Sequence, residues 1–176
     1  MDHIKSNTAT KSHTTGGRST TNNLATLLTA VHKDHPAIEL VQGDHFHWSP
    51  AKNRIMYTDV SHNDVPEVTL LHELAHALLH HSTFTTDYEL LLMEVEAWEK
   101  ALTLGKKYKV AITDEYVQNC LDTYRDWLYM RSTCPSCGSN SLQESSKTYR
   151  CFNCQTTWSV SSSRLCRPYR KSVTRN

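Results

Sequence analysis

The stretch Val68-Thr69-Leu70-Leu71-His72-Glu73-Leu74-Ala75-His76-Ala77-Leu78-Leu79-His80-His81 constrains this chain more than any other. At about 100° per residue, His72 and His76 fall roughly 40° apart on one helical face, one turn above each other. Both imidazoles then reach a single ion. Leu71, Leu74, Ala75 and Leu78 cluster on the adjoining face, which predicts that the helix buries there and leaves Glu73 flanking the two histidines.

This is the spacing of H-E-x-x-H zinc hydrolases, in which the glutamate is the general base and not a ligand. Eleven His in 176 residues make chance matches easier, but this composition produces the pattern by chance only about 3% of the time. A chance match would also have to fall on an amphipathic helix.

The chain is long enough for one domain of about 100–150 residues and a small appendage. Charge divides it in the same way. Residues 1–133 hold 12 Lys/Arg against 17 Asp/Glu, a net of −5, whereas residues 134–176 hold 7 against 1, a net of +6. An acidic module joined to a basic one points to an anionic partner for the latter. Four of the six cysteines form two C-x-x-C pairs, a spacing that indicates metal more than disulfides. With no apolar run of membrane-spanning length and no secretory h-region, the expectation is a cytoplasmic protein with no membrane partner.

Residues 1–23, nearly free of apolar side chains, read as a disordered tail in which His3 and His13 are solvated. A helix follows from an Asn23 cap through Leu24, Leu27, Leu28 and Val31 to Pro36. Three short runs, Ile38–Val41, His45–Ser49 and Arg54–Thr58, predict a small sheet, antiparallel by its turn punctuation, with His45 and His47 on its exposed face. Ser61 to Pro66 is a loop, and the H-E-x-x-H helix runs from Pro66 to about His81. A second helix spans about Asp87 to Leu104 with Gly105 as its C-cap. The third opens at Thr113 and carries an apolar stripe of Ile112, Tyr116, Val117, Cys120, Leu121, Tyr124, Leu128 and Met130, with Cys120 a packed thiol.

A catalytic zinc site needs at least one more protein ligand and a vacant position. No His follows His81, so a carboxylate of the second helix is expected, from among Glu89, Glu94, Glu96 and Glu99. Glu94 shares its face with Leu90, Leu91, Ala97, Trp98 and Ala101, where a carboxylate without a partner is costly. Glu96 has the surroundings of a solvated face. A rotated helix would instead leave Glu94 at the rim.

His72-Glu73-Leu74-Ala75-His76 followed by Glu94-Val95-Glu96-Ala97-Trp98 resembles the H-E-x-x-H … E-x-E-A-N pattern of ImmA/IrrE-type metallopeptidases, a thermolysin-like zincin group, over roughly residues 36–104. The resemblance implies Glu94 as third ligand, and often repressors as targets and a phage or mobile-element setting. Trp98 stands where the family usually has Asn, and the Phe-Ala and Leu-Met-Pro stretch that follows in the family is absent. The resemblance therefore implies no substrate preference. The expected fold class is α+β: a minimal zincin over 24–131, with its small antiparallel or mixed sheet packed on the H-E-x-x-H helix and the Glu-bearing helix. Catalysis would be zinc-assisted peptide hydrolysis of a protein substrate, with Glu73 as base. For the oxyanion donor the candidates are His80, Tyr88, His62 and the tyrosines of the third helix. The Arg54–Thr58 strand is expected to lie nearest the cleft and to accept an extended peptide.

Cys134-Pro135-Ser136-Cys137-Gly138 and Cys151-Phe152-Asn153-Cys154 predict a zinc ribbon over 132–160, with a structural zinc held by Cys134, Cys137, Cys151 and Cys154 and with Cys166 free. A basic tail, 161–176, follows. Arg150, Arg164, Arg167, Arg170, Lys171 and Arg175, interleaved with Tyr149, Phe152, Trp158 and Tyr169, suggest DNA or RNA contact through phosphates and stacking. The ribbon would then target the protease to nucleic acid or to a protein. The alternative is a non-catalytic, DNA-associated or antirestriction-type adaptor with a zincin-like domain.

Overall fold

The computed structural model describes residues 20–59, 65–161 and 170–172, with side chains over 23–59 and 65–161. The tail with His3 and His13, the loop with His62, and Arg164, Cys166, Arg167, Tyr169 and Arg175 fall outside the described residues or side chains. The protein is α+β, with helices α1 (Thr20–Asp34), α2 (Pro66–Leu78), α3 (Asp87–Tyr108) and α4 (Asp114–Ser132) and two small sheets. Helix α1 thus begins three residues before the expected Asn23 cap. Among the described residues no helix is long and apolar enough to cross a membrane.

The first sheet contains β1 (Glu39–Gln42), β2 (His47–Ser49) and β3 (Arg54–Tyr57) in the order β1-β3-β2. The expected strands are present, but the sheet is mixed: β1 runs parallel to β3, and β2 antiparallel to it. Asn53, at φ +48°, closes the short β2–β3 connection, a backbone region Asn tolerates. The residues between β1 and β2 carry the chain past β3, so β3 becomes the central strand. The edge available to a peptide beside α2 is therefore β2, not the Arg54–Thr58 run expected from the sequence. Alternation buries Trp48 and Ile55 and leaves His45 and His47 exposed, as the pattern predicts.

Helix α2 starts with Pro66 at its first turn, where the missing N–H costs nothing. It is buried over most of its circumference, with Leu70, Leu71, Leu74 and Ala75 fully enclosed between α1, the sheet and α3. Helix α3 opens on a capping box: Thr86 accepts from the Glu89 N–H while the Glu89 carboxylate accepts from the Thr86 N–H. Gly105 is not its cap. The helix continues to Tyr108, and the left-handed residue is Lys109 at φ +59°. A Cβ on Gly105 would lie 2.8 Å from the Val110 carbonyl oxygen, so close chain approach accounts for this glycine. On α4, Val117, Leu121 and Trp127 are buried and Cys120 is half-buried against the core, its thiol pushed up by burial. Met130, placed on the stripe by its spacing, is exposed.

The second sheet, β4 (Gln143–Ser145), β5 (Thr148–Arg150), β6 (Thr157–Val160) and β7 (Arg170–Ser172), is antiparallel in chain order. Residues 170–172, expected in a tail, thus add a strand to this module. Its small core is Cys134, Tyr149, Cys151, Trp158 and Val160.

The two modules meet at a buried polar node. Asp87, in the first turn of α3, accepts from Arg131 Nε at 2.6 Å, Arg131 Nη2 at 3.2 Å and the Tyr149 hydroxyl at 2.5 Å. The Asp87 backbone N–H donates to the Gln143 side-chain oxygen at 2.7 Å, and the Trp158 indole N–H to the Arg131 carbonyl at 2.9 Å. Arg131 also donates to the Ser161 carbonyl and stacks on Trp127, 4.5 Å from the ring centre. Beside Asp87, burial first and then its hydrogen bond raise the Tyr149 hydroxyl pKa.

Candidate metal centre and cleft

One turn of α2 places His72 Nε2 and His76 Nε2 3.1 Å apart. Helix α3 packs against α2 and directs Glu94 at the pair, its two oxygens 3.2 Å from His72 Nε2 and 3.7 Å from His76 Nε2. All three residues are buried, Glu94 to 6% exposure. Burial pushes the Glu94 carboxyl up, but hydrogen bonds and charge from His72 and His76 outweigh it and hold the group well below the usual carboxylate range.

One Glu94 oxygen, Oε2, is nevertheless buried with no properly aligned hydrogen bond among the described residues. Two ring nitrogens facing each other beside a carboxylate leave lone pairs that their own protons do not satisfy, and a cation completes such a set. Among the described residues, His72, His76 and Glu94 are one of two groups whose donor atoms could hold a metal ion, all lying within 4.8 Å of one another. Glu94 is the carboxylate that helical phase pointed to, and the structure brings it to the two histidines.

Trp98, one turn beyond Glu94, stacks on the His72 ring at 4.1 Å and 25° between planes. Tyr116 meets Trp98 edge-on, with 5.8 Å between ring centres. Trp98 thus has a structural role: it fixes the plane of an imidazole. Glu73 is half-buried beside the histidines, and its Oε2 accepts the Trp48 backbone N–H at 2.7 Å.

The site opens into a cleft of about 780 Å³. His45 to Trp48 line it with Glu73, Phe84, Leu90, Met93, Tyr124 and Trp127, and Ser146 and Lys147 of the second module complete it. Of the oxyanion candidates, Tyr124 lines this cleft, Tyr88 is 56% exposed on another groove, and Tyr129 is exposed. His80 turns outward at φ +56°. Its neighbour His81, unmarked by any motif, is buried against His76, Nδ1 to Nδ1 2.8 Å, and reaches Glu96 Oε2 at 3.2 Å. Burial and the adjacent His76 lower the His81 pKa against the opposing pull of Glu96.

The second candidate metal group is Cys134, Cys137, Cys151 and Cys154. Its two knuckles are built alike. The Gly138 and Gln155 N–H groups each return to the first cysteine carbonyl of their knuckle at 3.0 Å, and both residues have positive φ. Sγ–Sγ separations of 3.6 Å for Cys134–Cys154 and 3.5 Å for Cys137–Cys151 close the set. Ser139 hydrogen bonds lower the Cys137 thiol to about 6, while burial raises Cys134.

Of the basic and aromatic groups expected to contact nucleic acid, the side chains described are Arg150, Tyr149, Phe152 and Trp158. Arg150 is half-buried and bonds Gln155 at 3.1 Å, with Glu144 at 3.8 Å. Tyr149 and Trp158 are core, stacked on each other at 5.4 Å; Phe152, at 70% exposure, is the one of these three aromatics open to solvent. Arg170 and Lys171 lie on β7, with side chains outside the described residues. Compared with known proteins, this chain matches no family model, no curated protein and no solved structure.

Proposed function

We propose that the cleft is the active site of a zinc-dependent metalloendopeptidase of the ImmA/IrrE zincin type, with His72, His76 and Glu94 as zinc ligands and the four-cysteine module as a zinc ribbon. Convergence of two imidazoles and a buried carboxylate beside an unligated Glu73, all in one open cleft, carries this reading. The donor chemistry fits. Tetrahedral zinc–thiolate bonds of about 2.3 Å put sulfurs about 3.8 Å apart, and zinc–nitrogen bonds of about 2.0 Å put nitrogens about 3.3 Å apart, against the 3.5–3.6 Å and 3.1 Å separations found.

A zinc ion in the His72/His76/Glu94 site would supply Lewis-acid polarisation of a carbonyl and a water acidic enough to ionise near neutral pH. The protein supplies the rest. The Trp48 N–H holds one Glu73 oxygen, leaving the other to take a proton from the attacking water and pass it to the departing amine. The β2 edge offers backbone groups to an extended substrate. Loss of peptide cleavage in Glu73→Gln, with both metals retained, is the test; unchanged cleavage removes the assignment.

The module's +6 net charge supports a second task, contact with an anionic partner such as DNA or RNA. Salt-dependent DNA binding that persists in Glu73→Gln, with no protein cleaved by the native chain, would favour the adaptor reading instead.

A further inference from the structure

The turn that ends α2 carries a buried group that the proposed hydrolysis does not use. The His80 N–H bonds the Ala77 carbonyl at 3.1 Å, and the His81 N–H returns to the His76 carbonyl at 3.0 Å, across a left-handed His80. This is a Schellman motif, which brings the residue after the left-handed one over the third residue from the helix end. Those two residues are His81 and His76. Where an apolar contact usually forms, two imidazoles meet, with Nδ1 atoms 2.8 Å apart and ring planes at 66°. The Trp48 indole N–H holds the His81 carbonyl at 2.8 Å, and His81 Nε2 lies 3.2 Å from Glu96 Oε2.

With a cation held at His76 Nε2 and both rings neutral, counting protons leaves one arrangement. Between two Nδ1 atoms one must donate and the other accept. If His81 donated, its Nε2 lone pair would face the Glu96 carboxylate, and the His76 proton would sit on Nε2, among His72 and Glu94. If His76 donates, both contacts of His81 are satisfied: His76 Nδ1–H to His81 Nδ1, and His81 Nε2–H to Glu96. The His76 Nε2 lone pair then points at His72 and Glu94. His72 has no such support, for its Nδ1 is buried without a hydrogen-bond partner among the described residues.

We propose that His81, oriented by Glu96, is a positioning residue of the His72/His76/Glu94 centre: it sets the tautomer and ring plane of His76, and so how tightly that centre holds a divalent cation. The inference rests on the metal-centre reading above. A partner that fixes a ligating imidazole raises its basicity and removes the cost of choosing a tautomer.

The experiment uses the full chain and Co²⁺ as probe, with affinity at the histidine site read by chelator competition and coordination by the Co²⁺ d–d spectrum. His81→Phe is expected to weaken Co²⁺ binding about 10–100-fold and change the spectrum. In His81→Asn an amide oxygen can accept the His76 proton, so most of the loss should be recovered, which a merely space-filling role for His81 would not produce. Glu96→Ala, at an exposed position, should show a smaller loss. A folded Phe variant with native affinity and spectrum overturns the proposal, as does an Asn variant as weak as Phe. If the Phe variant does not fold, unchanged affinity in Glu96→Ala overturns it. A native chain that loads only its cysteine site removes the metal-centre reading itself, whereas native loading with an unaffected Phe variant removes this inference alone.

Discussion

The Trp48 backbone N–H donates to Glu73 Oε2 at 2.7 Å, joining the edge strand of the sheet to the helix that carries the histidines. A half-buried carboxylate at the mouth of a cleft is thereby held in one orientation beside its neighbours. Glu73→Gln keeps an oxygen for that N–H and loses the proposed base. Peptide hydrolysis should fall about 10²–10⁴-fold while metal content stays unchanged, measured by digestion of a peptide library and elemental analysis of the same sample.

The two donor groups share no residue, so their metals should be lost separately. The native chain should carry one ion at each. A His72→Ala/His76→Ala chain should keep the cysteine-bound ion alone, and Cys134→Ser/Cys151→Ser should lose that ion together with the order of its module, whose small core includes both thiols. Elemental analysis and circular dichroism read both outcomes.

Breaking the Asp87–Arg131 pair strands a charge that is nearly excluded from water on either side, the two being 4% and 2% exposed. Arg131→Ala or Asp87→Ala should cost about 3–5 kcal/mol, and Tyr149→Phe about 1–3 kcal/mol, in urea unfolding. Because Asp87 opens the helix that carries Glu94, the Arg131 variant should also weaken metal binding at the histidine site.

His80 occupies a left-handed backbone conformation that a side chain disfavours. Replacing it with Gly should stabilise the protein by up to about 1 kcal/mol, since the αL penalty of about 1–2 kcal/mol is partly offset by Gly's greater unfolded-state freedom. The Schellman hydrogen bonds are main-chain and remain. A rise in thermal midpoint checks it, and a fall would mean that the exposed ring makes an unrecognised contact.

For the metal-free chain, the depressed Glu94 carboxyl adds stability that is fully present above its unfolded value of 4.5 and is lost as pH falls through the lower folded value. Glu94→Gln should flatten that acid limb. Urea midpoints between pH 7 and pH 3, taken in chelator, give the comparison.

Local spacing sufficed where the chemistry repeats within one or two turns. His72 and His76 meet because four residues make about one helical turn, and C-x-x-C brings two thiols together inside a single knuckle. Glu94 was legible one step further out, since a carboxylate among Leu90, Ala97, Trp98 and Ala101 needs a reason to be buried. His81 was not legible. A continued helix would have carried it past His76, and the reversal at His80 that brings it back leaves no mark in composition or periodicity.

Hydrophobic phase and ligand spacing thus told which side chains could gather within each helix or knuckle, because those relations depend on a few bonds of fixed geometry. How separate segments meet was decided by packing. The mixed strand order that makes β2 the edge beside Glu73, the burial of Tyr149 and Trp158 as core, and the docking of the second module on Asp87 through Arg131 all arise from contacts between distant parts of the chain. The strength of such contacts depends on water being excluded from both partners at once, which no local pattern encodes.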